Sequence, residues 1–242
     1  MNYTFDFTPI FLNWPLLANG AWATVCISAI SMALGLACGV ILTALRMAPV
    51  KALRAMAIGY IELVRNTPFL VQVFFIYFGM PELGLRMNAM EAAVLAMTLN
   101  CSAYVAEIVR SGVESIRKGQ IEAGRALGLS TVDVYRFIVF RPAIRAVYPS
   151  LCSQFILMML NTSLVASISA QELTYAAQMI DNQTFRSFEV YFVLGVIYLI
   201  LSQLFSVGLR LVGRAYFSYG PAADRDPTAH ARDLAHEYVT RS

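Results

Sequence analysis

Charged residues are scarce in this sequence. Only 14% of its 242 residues are Asp, Glu, Lys or Arg, whereas 58% are hydrophobic and the mean hydropathy is +0.62. A soluble domain carries roughly 25% charged residues. The low charge therefore excludes an ordinary soluble fold and predicts an integral membrane protein.

Residue types that commonly carry catalysis or bind metals are also few. His230 and His236 both lie in a polar C-terminal tail, which excludes a histidine-based catalytic or zinc site inside the membrane. No GxxxxGK[ST] phosphate-binding loop is present, so we expect the chain not to bind ATP by that route and not to be an enzyme itself. The cysteines lack CxxC spacing and lie inside apolar runs, as small hydrophobic residues do: Cys26, Cys38, Cys101 and Cys152.

Five apolar segments are long enough to cross about 30 Å of hydrocarbon, which takes about 20 helical residues. They are predicted at residues 18–45, 59–80, 92–109, 146–171 and 190–209. The N-terminus has no basic segment and the first apolar run is too long for a signal peptide, so we expect no removable leader. The sequence thus predicts an all-α membrane protein with five transmembrane helices.

Lys and Arg are distributed unequally between the two sides that five spans define. Sixteen of the eighteen cluster around the connections after the first and third spans or lie in the tail, and only Arg86 and Arg186 fall on the opposite side. Because basic residues accumulate on the cytoplasmic side, this bias predicts an outer N-terminus and an inner C-terminus. The expected divisions are an extracytoplasmic segment (1–17), a membrane domain (18–215) and a polar cytoplasmic tail (216–242).

The segment GQIEAGRALGLSTVDVYRFIVFRPAIR, residues 119–145, is polar and punctuated by glycine between two apolar spans. Residues 120–127 have helix-forming composition, and Gly128 follows where a left-handed residue ends a helix. Ser130, with Asp133 three residues later, predicts the N-cap of a second helix that ends before Pro142. This cytoplasmic helix–Gly–helix element could lie on lipid headgroups or let another protein approach its small residues closely. Those residues are Ala123, Gly124, Ala126 and Gly128.

Ionisable residues inside predicted spans are expected to face protein or water, because hydrocarbon solvates them poorly. Glu62 and Arg65 lie three residues apart, as do Glu107 and Arg110, so each pair is expected to form a local ion pair near the cytoplasmic boundary. A role in a gate or substrate path is the alternative. Pro68 is expected to kink the second span.

Uncharged polar residues lie within the same spans. The stretch LNTS stands near the middle of the fourth span, and a glutamine precedes it by about two turns. These side chains could bond to neighbouring helices or line a substrate path. All candidates for the path or gate are Glu62, Arg65, Pro68, Gln72, Asn100, Gln154, Asn161, Thr162 and Ser163.

Four stretches of the sequence carry recognisable motifs. They are EAGRALGL followed by RPAIR, ELVRNTPFLVQVFFIYFGMP, AYVAEIVRSGVESIRKGQ and NTSLVASISAQEL. Together they resemble the membrane permease subunits of bacterial polar amino-acid ABC importers of the histidine/glutamine type, and EAGRALGL followed by RPAIR is similar to the EAA loop of these permeases. The resemblance covers about residues 15–215, with Arg141 where the family usually has an apolar residue and Asn161 where it often has lysine.

The resemblance implies a coupling segment at about residues 115–145 that docks on a cytoplasmic ATPase. It implies two such ATPase subunits, which hold the ATP and Mg, a second permease subunit (identical or homologous) and an extracytoplasmic solute-binding protein. No cofactor in this chain and no nucleic acid is implied, and the location is the bacterial inner membrane. The implied coupling residues are Glu122, Ala123, Gly124, Leu127 and Gly128.

An ion-gradient-driven amino-acid carrier is the main alternative. Such a carrier is expected to show paired intramembrane acids or broken helices in symmetric positions, and the sequence shows no internal repeat. A structural subunit without transport is disfavoured by the coupling segment. Arginine, histidine, glutamine, acidic amino acids and opine-like derivatives all stay open as substrates.

Overall fold

The structure, a computed structural model, describes residues 4–217, which are mostly helical and contain no strand. The long helices of this range are α2 (Trp14–Arg46), α5 (Ala89–Glu114), α8 (Arg141–Asn161) and α10 (Ser187–Phe217). The shorter ones are α1 (Thr8–Leu12), α3 (Lys51–Arg65), α4 (Phe69–Phe74), α6 (Lys118–Ala126), α7 (Thr131–Asp133) and α9 (Leu173–Thr184).

Several stretches continue a helix with a different hydrogen-bond pattern. A π-helical turn at Phe75–Gly79 and a 3₁₀ turn at Met80–Leu83 extend α4. A π-helix at Val134–Phe140 joins α7 to α8, and a 3₁₀ segment at Thr162–Ile168 follows α8. Single π turns within α-helices are frequent at functional sites.

The membrane-spanning expectation holds for four of the predicted segments. In the described part of the chain, Trp14–Arg46, Ala89–Glu114, Thr131–Ile168 and Ser187–Tyr216 are long and apolar enough to cross a bilayer. The predicted continuous second span is wrong, because the chain bends by 109° between Lys51–Arg65 and Phe69–Leu83. A fifth span exists only if this bent pair counts as one.

Helix α5 forms the centre of the bundle against α2 and α8. Glycines on α2 permit the close approach: a Cβ on Gly39 would lie 2.5 Å from Cγ1 of Val105, and one on Gly35 would lie 2.6 Å from Cβ of Cys101. Close backbone approach at small residues is how transmembrane helices gain packing energy without a hydrophobic driving force. The residues buried at this contact therefore fix α5 relative to α2.

Two further apolar clusters complete the unit Met1–Ser206. Ile10 and Leu17 pack against Leu173 and Ile180 of α9. The segment α4 instead packs on small residues of α5 and on the 3₁₀ segment Thr162–Ile168. Helix α10 continues from Val207 into a second unit, and only 6% of the most apolar window of Ser187–Tyr216 is buried, as expected for a helix that faces lipid.

Candidate functional site

The helix–Gly–helix element has the caps that the sequence predicts. Gly128 has a φ of 78°, and the N–H groups of Gly128 and Leu129 donate back into the last turn of α6 at 3.0 and 3.2 Å. This pair of bonds is a Schellman ending, which favours glycine. Ser130 accepts from the N–H of Asp133 at 3.2 Å, and its hydroxyl donates to the Asp133 carboxylate at 2.6 Å. Both predicted caps are confirmed.

Gly124 faces the second helix of the same element. A Cβ at this position would lie 2.4 Å from Cδ1 of Ile138 and 3.3 Å from Cγ2 of Val134. The expectation that Gly124 offers a small surface to another protein is therefore wrong. Its missing side chain instead lets α6 pack against the π-helix that follows it.

Other residues of the element are accessible. Leu127 is 81% exposed and Val132 is 73% exposed, and Glu122 and Ala123 are exposed on α6. Large apolar side chains exposed on a rigid polar element are typical of a surface that contacts another protein. Beside them lies an open cavity of about 390 Å³, lined by Thr131, Val132, Tyr135, Arg136 and Phe140.

The second helix does not end before Pro142, contrary to the prediction. The chain stays helical through Val134–Phe140 and continues as α8, in which Pro142 lies in the first turn. The rule that disfavours helix before proline is overridden, because the preceding turn is π-helical and Arg141 keeps helical dihedral angles. The element is thus continuous with α8.

The break between α3 and α4 is closed by a side chain. The carbonyl of Val64 would normally accept from the N–H four residues later, but that residue is Pro68, which has none. Nε2 of Gln72 takes this place and donates to the Val64 carbonyl at 2.7 Å. It also lies 3.1 Å from the carbonyl and 2.9 Å from the hydroxyl of Thr67. The amide of Gln72 therefore replaces the hydrogen bond that the proline removes.

Gln72 and Asn100, both candidates for lining a substrate path, bond to each other. Nδ2 of Asn100 donates to Oε1 of Gln72 at 3.0 Å, and Asn100 is only 4% exposed. Tyr60 of α3 adds a second contact to α5, since its hydroxyl donates to the Leu99 carbonyl at 2.9 Å. The Gln72–Asn100 bond and the Tyr60 hydroxyl together hold α3 and α4 on α5.

Of the two predicted ion pairs, Glu107–Arg110 is confirmed and Glu62–Arg65 is wrong. Nε of Arg110 donates to Oε1 of Glu107 at 3.1 Å. Glu62 is exposed and forms no ion pair with a described residue, whereas Nη1 of Arg65 lies 3.7 Å from Oε2 of Glu107. The same Oε2 accepts from Nη1 of Arg46 at 2.6 Å. Helix packing brings these two arginines to one carboxylate, which the local spacing rule does not anticipate.

Some polar side chains of α8 and of the 3₁₀ segment after it form hydrogen bonds, and others do not. Thr162 is buried and donates to the Met159 carbonyl at 2.7 Å, and Ser163 donates to the Leu160 carbonyl at 2.8 Å. Asn161 and Gln154 are partly exposed and form no side-chain hydrogen bond with described residues. Their spacing of seven places both on one face of α8. These two amides are therefore available to a ligand or a partner.

A buried carboxylate that sequence analysis missed is Glu172. It is 0% exposed and caps α9, where it accepts from the N–H of Tyr175 at 2.9 Å. Tyr198 of α10 donates to it at 2.9 Å and Thr24 of α2 at 3.3 Å. Burial raises the pKa of the Glu172 carboxyl above its ordinary value, although these hydrogen bonds act in the opposite direction. The sequence signal that could have indicated this site is a single acidic residue directly after the apolar run of the predicted fourth span.

No group of three metal-ligating side chains occurs among residues 4–217. The four cysteines are free and distributed over α2, α5 and α8. His230, His236 and the predicted polar tail from residue 218 onward lie outside the described residues, so that part of the domain prediction stays a prediction.

An all-helical bundle with long apolar helices and a capped polar element between two of them is the architecture of an integral membrane protein. Residues 32–217 match the family described as "Binding-protein-dependent transport system inner membrane component". The chain belongs to this family, and the resemblance to ABC importer permeases inferred from its motifs is confirmed. The inner-membrane location follows from the same match.

Relatives and solved structures agree with the family. The chain is 39% identical to the glutamine transport system permease protein GlnP of Escherichia coli (strain K12) over 87% of its length and 97% of that protein. It is 36% identical to the nopaline transport system permease protein NocM of Agrobacterium fabrum, over 89% and 92% of the two chains. The crystal structure of an amino acid ABC transporter with histidines aligns with a TM-score of 0.82 and 34% identity, over 88% of this chain and 100% of that one. A methionine ABC transporter in an inward-facing conformation, 22% identical with a TM-score of 0.67, shares the fold.

Proposed function

We propose that this chain pairs with a second permease subunit, identical or homologous, to form the alternating-access pathway of an ATP-driven importer. The substrate is a polar amino acid or a close derivative, delivered by an extracytoplasmic binding protein. Two cytoplasmic ATPase subunits, which carry the ATP and Mg, supply the energy. The observation that carries this proposal is the capped element from α6 to the π-helix, which presents Leu127 and Val132 to solvent between two spanning helices.

The proposed topology has five spans, with the bent pair α3–α4 counted as one and the N-terminus outside. The Lys and Arg distribution supports this orientation. So does the ion pair between Arg46, the last residue of α2, and Glu107, two turns before the end of α5, since this topology places the ends of both helices on the cytoplasmic side. A cysteine introduced at position 6 is expected to react with an impermeant maleimide in intact cells. One at position 122 is expected to react only after permeabilisation, and labelling of both from outside would contradict the topology.

The proposed ATPase contact is the solvent-exposed side of α6. Glu122 and Ala123 lie on its exposed side, and Leu127 extends from its end. Gly124 and Gly128 act within the element, the first by close packing and the second by its left-handed turn. A short rigid element of this kind transmits a displacement between an ATPase and the spanning helices that it connects.

The relatives are named for glutamine and nopaline transport, and these names support the polar amino acid or close derivative that we propose as the substrate class. Both compounds carry an α-carboxylate and hydrogen-bonding polar groups. The unbonded amides of Gln154 and Asn161 are the described side chains that we propose to face such a molecule. Uncharged amides accept and donate hydrogen bonds without the desolvation cost of a buried charge.

Reconstitution tests the proposal directly. The complex of this chain with its ATPase and binding protein, in vesicles, is expected to take up at least one of L-glutamine, L-histidine, L-arginine and nopaline when ATP is enclosed with the ATPase. Uptake that persists without ATP but disappears when the ion gradients are collapsed would refute the ATP-driven importer and favour the secondary carrier. Binding-protein-independent uptake would refute the delivery step.

A further inference from the structure

Glu107 is the acid that joins the ends of three helices. Arg46 is the last residue of α2 and Arg65 the last residue of α3, whereas Glu107 and Arg110 belong to α5. Among the described residues, no other acid pairs with Arg46 or Arg65; Arg110 alone has a second partner, Glu114. One carboxylate therefore contacts three guanidinium groups from three helices, and with Glu114 included the cluster keeps a net positive charge.

The charge balance makes this contact hard to replace. Without Glu107, the arginine side chains would remain close together, with only Glu114 beside one of them. Their side chains are 21% (Arg46), 40% (Arg65) and 24% (Arg110) exposed, so water screens them only in part. Like charges at this separation repel, and the helix ends that carry them would move apart.

The three helix ends depend on Glu107 to different degrees. Helix α2 has an independent contact beside it, because the Thr43 hydroxyl donates to the Ala106 carbonyl at 3.1 Å. The last residue of α3, Arg65, reaches α5 through its guanidinium, which lies over the Tyr104 ring at 5.6 Å from its centroid and 3.7 Å from Oε2 of Glu107. Uncharged contacts also attach α3 to α5, namely the Tyr60 hydroxyl and the bonds that join the Val64 carbonyl to Gln72 and Asn100. Among the described residues, Glu107 is therefore the acid that holds the last residue of α3, while the uncharged contacts attach the helix itself.

Glu107 also lies close to the coupling element along the chain. It stands two turns before the end of α5 at Glu114, and α6 begins at Lys118. Ser115 extends the helical bonding, since its N–H donates to the Ser111 carbonyl at 3.0 Å. A displacement of α6 therefore reaches Glu107 through the two non-helical residues Ile116 and Arg117 and the last two turns of α5.

We propose that Glu107 is a positioning residue that transmits displacement of the coupling element to the end of α3, and from there to the break that precedes α4. The proposal rests on the proposed function, in which α6 contacts the ATPase. It assigns Glu107 no contact with substrate or nucleotide.

The test compares Glu107→Gln with Glu114→Gln in the reconstituted complex. Glu114 pairs with the same Arg110 but contacts neither α2 nor α3, which makes it a matched control. The readouts are recovery of the ATPase with the permease, basal ATP hydrolysis, and hydrolysis stimulated by the loaded binding protein. The binding protein carries whichever compound of the panel named above supports uptake.

We expect Glu107→Gln to co-purify with the ATPase and to keep basal hydrolysis. Stimulated hydrolysis and uptake should fall by about fivefold or more, because about fivefold is the lower end of the range for coupling between distant sites. Glu107→Asp, which keeps the charge, should restore part of the stimulation, and Glu114→Gln should retain most of it. A purely structural role would lower recovery and basal hydrolysis together and leave the remaining complex normally stimulated.

Equal stimulation in Glu107→Gln and the unmodified complex would overturn the proposal, as would equal losses in Glu107→Gln and Glu114→Gln. If Glu107→Gln does not assemble, Arg65→Gln decides, because it removes the α3 contact alone: it must assemble and lose stimulation for the proposal to stand. Absence of stimulation in the unmodified complex would refute the proposed function and not the role of Glu107.

Discussion

Replacing Gln72 with leucine removes the amide that closes the break between α3 and α4 while keeping a side chain of similar size. Four groups lose a hydrogen-bond partner: the carbonyls of Val64 and Thr67, the hydroxyl of Thr67, and the amide of Asn100. The Val64 carbonyl cannot recover a partner from the backbone, because the residue four positions later is Pro68. We therefore expect Gln72→Leu to destabilise the permease.

The magnitude follows from the number and burial of these bonds. Hydrogen bonds between transmembrane helices average about 0.6 kcal/mol, so four of them contribute about 2 kcal/mol. A buried polar group left without a partner costs about 1–3 kcal/mol, and Asn100, at 4% exposed, has little access to water. We expect a loss of about 3–5 kcal/mol in total. For a chain of this size, each kcal/mol lowers the melting temperature by about 2–4 °C, so a decrease of at least about 6 °C should be measurable.

Thermal unfolding of the detergent-purified permease, followed by intrinsic fluorescence, measures this decrease. Gln154→Leu is the matched control, since it is the same substitution at an amide with no hydrogen bond to a described residue. Pro68→Ala, added to Gln72→Leu, returns an N–H to the Val64 carbonyl and should recover part of the loss. Equal melting temperatures for the two leucine variants, or no recovery in the double variant, would refute the role assigned to Gln72.

Three further outcomes are expected. Gly124→Ala should reduce co-purification of the ATPase, because its Cβ would lie 2.4 Å from Ile138; Gly119→Ala on the same helix, with open space around its Cβ, should not. Asn161→Ala should change the KM for uptake without loss of assembly, and unchanged kinetics would remove it from the proposed substrate path. Glu172→Ala should lower the melting temperature more than Glu172→Gln, whose amide oxygen can still cap α9; equal decreases measured by thermal unfolding would contradict the capping role.

The sequence correctly predicted those features of the fold that depend on residues close to one another along the chain. Apolar runs gave the spanning helices α2, α5, α8 and α10, and Gly128 and Ser130 gave the ends of the helices around them. Each of these features depends on residues within one or two turns. Sequence spacing is enough where the interacting groups are neighbours on the chain.

Long-range contacts decided the features that the sequence did not predict. The spacing rule paired Arg65 with Glu62, but packing of α3 against α5 places Arg65 near Glu107. The kink expected at Pro68 is confirmed, but the sequence did not predict that Gln72 and Asn100 hold the 109° bend. Glu107 and Asn100 could not be identified as partners from periodicity, because both lie on α5, whose position against α3 and α4 depends on the whole bundle.

Two of the departures from α-helical geometry within the proposed spans, the break before α4 and the 3₁₀ segment Thr162–Ile168, lie together, and the membrane explains why. Val73 of α4 and Ile76 of the π-helical turn pack in one cluster with the 3₁₀ segment and with small residues of α5. In hydrocarbon, carbonyl groups released by a broken helix have no water to bond, so irregular backbone is stable only where protein or a water-filled cavity covers it. We propose that the break before α4 and the end of α8 face the interior of the assembled transporter, and that the substrate path runs along this side of the subunit. Helix α10, of whose most apolar window only 6% is buried, is expected to face lipid.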